Sequence, residues 1–447
     1  MSGKKTLHLV SLGCAKNLVD SEVILAILEN NGYFPVDDPA KAELLLVNTC
    51  GFIQPAVEEA VDEILRLAEY KQHGNNKMLV VAGCLVQRYG LQLLKELPEV
   101  DLFVGINEIP EIGELIRQHH SLKEPGVLMR QPVRFLMGAA TPRHISTPSY
   151  QAFLKITDGC NNRCSYCLIP SIRGRLRSRS VHDLILEAQQ LENGGVRELN
   201  LIAQDLTAYG DDLPGSHDLV FLLRRLLSET NIPWIRLLYL YPSTTSEELL
   251  ALMAENTRIV PYLDLPFQHV SSRILKRMNR NYTLDDLEEL LEKIRRHLPY
   301  CAIRSTMLVG FPGEREADVD LLLACLRRWR LDHVGVFQYH DEMDCAAHRL
   351  DEKVDTETKE KRYSRVMQAQ AEVSAHNAQQ YVGRVESVLV EGVSPETELL
   401  LIGRTRFQAP EIDGCVYIAD GQANPGDFVS VAVTEAHTYD LVGNIVS

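Results

Sequence analysis

Four times before residue 161 an apolar run ends at or just before a cysteine, and that repeated switch constrains the fold more than any other feature. Leu7–Gly13 leads into Cys14, Ala42–Thr49 into Cys50 and Met78–Gly83 into Cys84; segments of helical periodicity follow at Val19–Glu29, Ala56–Tyr70 and Gln87–Leu97. Strands that alternate with helices imply a parallel sheet, whose ligands gather beyond the carboxyl ends of the strands. A lone buried cysteine usually packs as a small hydrophobe. Three at the same point of a repeated unit favour one shared iron–sulfur cluster.

The fourth run, Phe153–Thr157, passes through Asp158-Gly159 into Cys160-Asn-Asn-Arg-Cys164-Ser-Tyr-Cys167. This loop offers three thiolates, whereas a four-iron cluster needs four ligands, so one iron is left open. A structural zinc site wants four closed ligands, commonly two Cys-x2-Cys pairs; no second pair follows, and the next histidine is His182. The loop, with aromatic Tyr166 before its last cysteine, resembles that of the radical S-adenosylmethionine (SAM) superfamily. The resemblance implies a cluster whose open iron chelates SAM and whose electron cleaves a carbon–sulfur bond.

At 447 residues with a net charge of −15, the chain has room for two or three domains and little general affinity for nucleic acid. A basic protein partner suits that field better. The start, Met-Ser-Gly-Lys-Lys-Thr-Leu-His-Leu-Val, lacks the apolar core of a secretion signal, and no stretch is long enough to cross a bilayer. The expected location is cytoplasmic, with no membrane role and no disulfide framework. One basic run, Arg173-Gly-Arg175-Leu-Arg177-Ser-Arg179, stands against the acidic background. It suits the SAM carboxylate, a substrate, or a merely solvated face.

After the cysteine loop the alternation continues. Strands are expected at Gln151–Thr157, Val196–Ala203, Trp234–Tyr239, Pro261–Leu265, Ala302–Val309 and His333–Tyr339. Helices are expected at Val181–Glu192, His217–Leu227, Ser246–Glu255, Leu284–Leu298 and Glu314–Arg328. Six such units predict a partial (β/α)6 barrel with its site at the carboxyl ends of the strands. A long polar helix over Asp355–Tyr381 leads to short strands at Ser387–Val390, Leu399–Ile402, Val416–Ala419 and Phe428–Val433, a small β barrel. From Gly383 onward three arginines face ten acidic residues, a local net of −7. A module built to grip tRNA should be basic; this one suits a partner rich in Lys and Arg.

Nearly the whole chain resembles the methylthiotransferase family. The stretches Ser11-Leu-Gly-Cys-Ala-Lys-Asn-Leu-Val-Asp-Ser-Glu22, Gln204-Asp-Leu-Thr-Ala-Tyr-Gly210 and Tyr262-Leu-Asp-Leu-Pro-Phe-Gln-His269 are most similar to its ribosomal-protein branch. The resemblance implies an α/β chain in three parts: an N-terminal parallel-sheet domain over 5–120, a radical SAM core over 146–380, and a TRAM-like β domain over 383–447. It assigns Cys14, Cys50 and Cys84 to an auxiliary 4Fe–4S cluster and Cys160, Cys164 and Cys167 to the SAM cluster. Tyr166, Arg179, Gln204, Asp205 and Gln268 are then candidate SAM contacts. The implied reaction adds a methylthio group to the β-carbon of an aspartate in the twelfth small-subunit ribosomal protein, free or in the ribosome. One SAM would donate methyl to sulfur, a second would give the 5′-deoxyadenosyl radical, and an external donor such as flavodoxin would supply electrons. A tRNA adenosine methylthiotransferase is the alternative enzyme, and a non-catalytic iron–sulfur scaffold the alternative outside enzymes. One departure from the family is Met343-Asp344-Cys345-Ala346-Ala347, where a Glu-Gly-Thr-x-Ala pattern is usual.

Overall fold

The computed structural model describes residues 5–73, 78–122, 125–215 and 217–446; the basic tip at 1–4 and Ser447 lie outside the described residues. The first sheet is parallel throughout. It takes β1 (Lys5–Ser11), β2 (Tyr33–Pro35), β3 (Leu44–Thr49), β4 (Met78–Gly83), β5 (Leu102–Val104) and β6 (Gly126–Leu128) in the spatial order β2-β1-β3-β4-β5-β6. Around it lie α1 (Ala15–Asn30), α2 (Gln54–His73), α3 (Cys84–Tyr89), α4 (Leu93–Glu96) and α5 (Ile112–Leu122). Every residue of β3 and β4 is buried, as strands covered on both faces require. The short strands β2, β5 and β6 carry too few apolar residues to be read from the sequence.

The second sheet, order β14-β13-β12-β11-β10-β7, is also parallel and forms the expected open barrel. Its elements are β7 (Gln151–Lys155), the small pair β8 (Thr157–Asp158) and β9 (Arg177–Ser178) with α6 (Ile169–Ile172) between them, α7 (Val181–Asn193), β10 (Glu198–Ile202), α8 (Leu219–Glu229), β11 (Trp234–Leu237), α9 (Glu247–Glu255) and β12 (Ile259–Asp264). Then come α10 (Ser272–Arg277), α11 (Leu284–His297), β13 (Ala302–Val309), α12 (Glu316–Trp329), β14 (His333–Gln338) and α13 (Thr356–Ala378). Ser180, Asp218, Ser246, Thr283 and Asp355 each cap the helix they precede with a side-chain oxygen. Each such cap contributes about 1 kcal/mol. Local chemistry thus fixes where the crossover helices start.

The last unit is a closed barrel of β15 (Val385–Val393), β16 (Leu401–Thr405), β17 (Val416–Asp420), β18 (Phe428–Ala436) and β19 (Leu441–Val446). Strand β19 had no counterpart in the sequence reading; it closes the ring by pairing with β17 and β18. Residues 404–413 of this barrel seat against the radical SAM core. Arg404 pairs with Glu198, the Tyr262 hydroxyl donates to Asp413, and His333 bonds the Phe407 carbonyl. Glu198 begins β10, so this contact lies at the end of the strand away from Gln204 and Asp205.

Helix α1 joins the first domain to the core, which explains its many polar residues. Asp20 pairs with Lys155 and Arg173, and Glu22 with Arg143, all of them buried. Asn17 donates to the Leu12 carbonyl and Asn48 donates back to the Asn17 carbonyl, tying the helix start to the ends of β1 and β3. A helix buried on several sides cannot show a clean amphipathic stripe.

Candidate functional site

All six cysteines of the two sets open on one cavity of about 310 Å³. The three strand–loop–helix units deliver Cys14, Cys50 and Cys84, and the loop after β8 delivers Cys160, Cys164 and Cys167. Close approach of the first three loops demands glycine. A Cβ on Gly13, where φ is +93°, would sit 2.9 Å from the Cys50 Cβ; one on Gly51 would sit 2.8 Å from the Leu85 Cα. Neither clash is with a flexible side-chain end.

The thiols sit in unlike surroundings: those of Cys14 favour the thiolate, and burial disfavours it at Cys50, Cys84, Cys160 and Cys167. Cys14 lies at the start of α1, open to the cavity but otherwise enclosed by protein. Burial opposes its ionisation, yet Lys16, Arg173 and the backbone N–H groups of Asn17 and Lys16 hold its pKa below the ordinary thiol value. Burial pushes Cys50 up and Cys84 up to about 12, against the pull of Arg173. In the other set burial raises Cys160 to about 11, and Cys167 rises for the same reason. The Asn162 amide donates to Cys160 Sγ at 3.4 Å, and Arg280 Nη1 points at Cys164 Sγ at 3.8 Å. Iron would hold all of these deprotonated outright.

The donor chemistry fits iron–sulfur clusters better than a single ion. Among the described residues, no three His, Cys, Asp or Glu side chains converge on one metal position. A cubane spreads its irons, and therefore its thiolates, over a wider footprint. Three thiols in each set leave one iron without a protein thiolate from that set.

Of the expected SAM contacts, Tyr166, Gln204, Asp205 and Gln268 line this cavity. Asp205 accepts from Asn162 Nδ2 at 2.7 Å and from Thr207 Oγ1 at 2.6 Å, bracing the cysteine loop. Tyr166 accepts from Arg280 Nη1 at 2.9 Å. Gln268 and Tyr239 hold φ of +68° and +65°. Non-glycine residues in that region cost on the order of 1–3 kcal/mol and gather at functional sites. Arg179 is different: it is not among the lining residues. Its guanidinium binds Asp183, Glu187 and the Lys155 carbonyl, so it locks β9 to α7.

The cavity's cations were missed by sequence reasoning, apart from Arg173, which belongs to the noted arginine run. Lys16 lies 3.4 Å over the Tyr239 ring, and Arg280 lies 4.6 Å over the Tyr241 ring. Arg173 is fully enclosed between Asp20 and Asp158 and faces Cys84 and Cys14. Arg177 spends its donors on backbone carbonyls, including Val133 at 3.0 Å and Arg175 at 3.0 Å. The arginine run is therefore neither a solvated face nor a single anion site. His269 is fully buried, accepts from the Val270 and Ser271 amides, and is held neutral with its pKa lowered by burial to about 4.

Residues 6–105 match Uncharacterized protein family UPF0004, 154–326 the Radical SAM superfamily and 382–446 the TRAM domain. In fold the chain is similar to a radical S-adenosylmethionine methyltransferase, TsrM, from Kitasatospora setae: TM-score 0.55 at 15% identity, covering 86% of this chain and 78% of that one. Three proteins named ribosomal protein uS12 methylthiotransferase RimO match over their length. That of Desulfotalea psychrophila is 54% identical, covering 98% of this chain and 99% of its own. That of Myxococcus xanthus is 47% identical over 99% and 92%, and that of Geobacter sulfurreducens 45% identical over 100% of both. With its two cysteine sets, its three matched domains and this end-to-end identity, the chain belongs to the RimO family of radical SAM methylthiotransferases.

Proposed function

We propose that the chain adds a methylthio group to the β-carbon of an aspartate in ribosomal protein uS12, using two 4Fe–4S clusters and SAM. The observation that carries this reading is the meeting of both cysteine sets on one cavity lined by polar and aromatic side chains. The three-part division at 5–120, 146–380 and 383–447 belongs to the same reading: sulfur-side cluster, radical core and docking module. When bound, the clusters and SAM supply an electron, a methyl group and a 5′-deoxyadenosyl radical, which can attack an unactivated C–H bond that no side-chain base can.

The chain's own residues handle position, charge and water. Asp205 and Asn162 hold the SAM-cluster loop, and Arg280 braces it through Tyr166 while closing against the Tyr241 ring. Lys16 and Arg173 place positive charge beside Cys14, offsetting the thiolates of the first set. Aromatic walls from Tyr239, Tyr241 and Phe52 restrict solvent and stray hydrogen donors at the cavity. The acidic last domain suits a basic ribosomal protein, and a flavodoxin-like donor in the cytoplasm completes the scheme. Among the described residues no helix is long and apolar enough to cross a membrane.

The test is an assay of reconstituted C84A and C164A variants with uS12, scored by intact mass. C84A should carry about four irons where the wild type carries about eight. It should still cleave SAM to 5′-deoxyadenosine but leave uS12 unmodified, while C164A should neither cleave SAM nor modify uS12. Methylthiolation by C84A at the wild-type rate would overturn the two-cluster reading. Modification of tRNA in place of uS12 would overturn the substrate.

A further inference from the structure

The loop after β14 ties the two cysteine sets together. Glu342 is buried, and each of its carboxylate oxygens reaches into the first domain. One accepts from the backbone N–H of Gln54 at 2.6 Å, where α2 starts four residues after Cys50. The other accepts from Arg88 Nη2 at 2.6 Å, on α3, the helix that Cys84 begins. Arg88 Nη1 in turn donates to the Gly51 carbonyl at 3.0 Å. One carboxylate thus fixes two of the three auxiliary cysteine loops.

The same loop grips the other set five residues on. The Ala347 amide donates to the Ser165 carbonyl at 2.7 Å, between Cys164 and Cys167. The connecting turn is short and internally bonded, with the Cys345 amide donating to the Glu342 carbonyl at 3.0 Å. Ala347 is fully buried, so that end cannot slide. The departure from the family pattern at Met343–Cys345 falls inside this strap: Met343 is 81% exposed, and Asp344 reaches Arg88 at 3.5 Å.

We propose that Glu342 is a positioning residue whose carboxylate holds the auxiliary cysteine loops against the SAM-cluster loop and so sets the distance between the two sets. This rests on the two-cluster reading above. Productive transfer needs the substrate carbon radical to meet sulfur held at the first set. A displacement of ~1 Å in such a geometry costs on the order of 10²-fold in rate. A free radical step that no longer meets its sulfur spends SAM without product.

The experiment compares E342Q and R88M with wild type in two states. E342Q keeps the size of the side chain but has one acceptor oxygen, so its NH2 must face either the Arg88 guanidinium or the Gln54 N–H, donor against donor. In the metal-free protein, hydrogen exchange should quicken about tenfold at residues 51–54 and 84–89 and stay unchanged at 181–193. In the reconstituted enzyme, 5′-deoxyadenosine formed per methylthiolated uS12 should rise about tenfold while iron content holds. R88K should recover part of that ratio. Wild-type exchange and a wild-type ratio in both E342Q and R88M would overturn the proposal. If E342Q fails to fold, R88M with its rescue by R88K decides alone. Should the wild-type enzyme leave uS12 unmodified, the functional reading fails, and the exchange data on metal-free protein still decide whether Glu342 clamps the loops.

Discussion

Arg404 is the most exacting test of how the last domain is held. All five of its guanidinium N–H groups are used: Nε to Glu391 at 2.7 Å, Nη1 to Glu198 at 3.3 Å and the Gln408 carbonyl at 3.1 Å, Nη2 to Gln151 at 2.9 Å and Glu198 at 2.5 Å. Glu198 is fully buried, and burial opposes its charge, but Arg404 and Arg236 hold its pKa below the usual carboxylate range. R404M strands one Glu198 oxygen and the Gln151 and Gln408 acceptors, while Arg236 still pairs with Glu198. Removing one partner of a buried pair costs about 3–5 kcal/mol. Since the remaining Glu198–Arg236 pair is neutral, the lower half of that range is expected, about 3 kcal/mol. The molecule carries its own probe, because Trp234 packs 4.7 Å from the Phe428 ring across this contact. In urea, followed by tryptophan emission, the first transition of R404M should fall by about 1.5 M at a slope of about 2 kcal/mol/M. R404K should do nearly as badly, because an ammonium has three donors and no fork. R384M, at an exposed position, should change stability by less than about 0.5 kcal/mol. A loss below about 1 kcal/mol in R404M, or a neutral R404K, would refute the claim that this fork holds the domain.

His269 should make the core acid-sensitive. Its pKa is about 4 in the fold and about 6.5 unfolded, so its contribution is complete above the unfolded value and lost as pH falls toward the folded one. Between pH 7 and 5 that loss is roughly 2 kcal/mol; H269N, which keeps an acceptor but does not titrate, should flatten the stability profile by that amount relative to wild type. Gly13→Ala forces a Cβ to 2.9 Å from the Cys50 Cβ at a φ of +93°. It should lower iron from about eight to about four per chain with SAM cleavage retained, and full iron loading would contradict the packing argument. Association with uS12 should slow about tenfold between low and physiological salt, since ten acidic residues face three arginines from Gly383 onward; a salt-independent on-rate would remove the electrostatic reading.

Most of this protein's logic is local and therefore legible in the chain. The switch from apolar run to cysteine to helix places Cys14, Cys50 and Cys84 on one sheet edge because a parallel sheet aligns the ends of its strands. The Cys160–Cys167 spacing marks the second set because three thiolates in one loop need no distant partner. The barrel strands are legible for the same reason, each a short apolar run bounded by polar turns. What tertiary structure decided is which charged groups meet. Arg173 and Arg179 lie six residues apart in one run, yet one faces the cavity and the other locks α7, because the β9 turn separates their directions. Lys16 and Glu342 come from distant stretches and gain their roles only when two domains close on each other, while Arg280 is brought to the second cysteine set by the closing of the barrel itself. A buried charge is tolerated only beside its partner, and the partner's place is set by packing across the whole molecule. The sequence names the candidate ligands; the fold chooses the counter-charges that surround them.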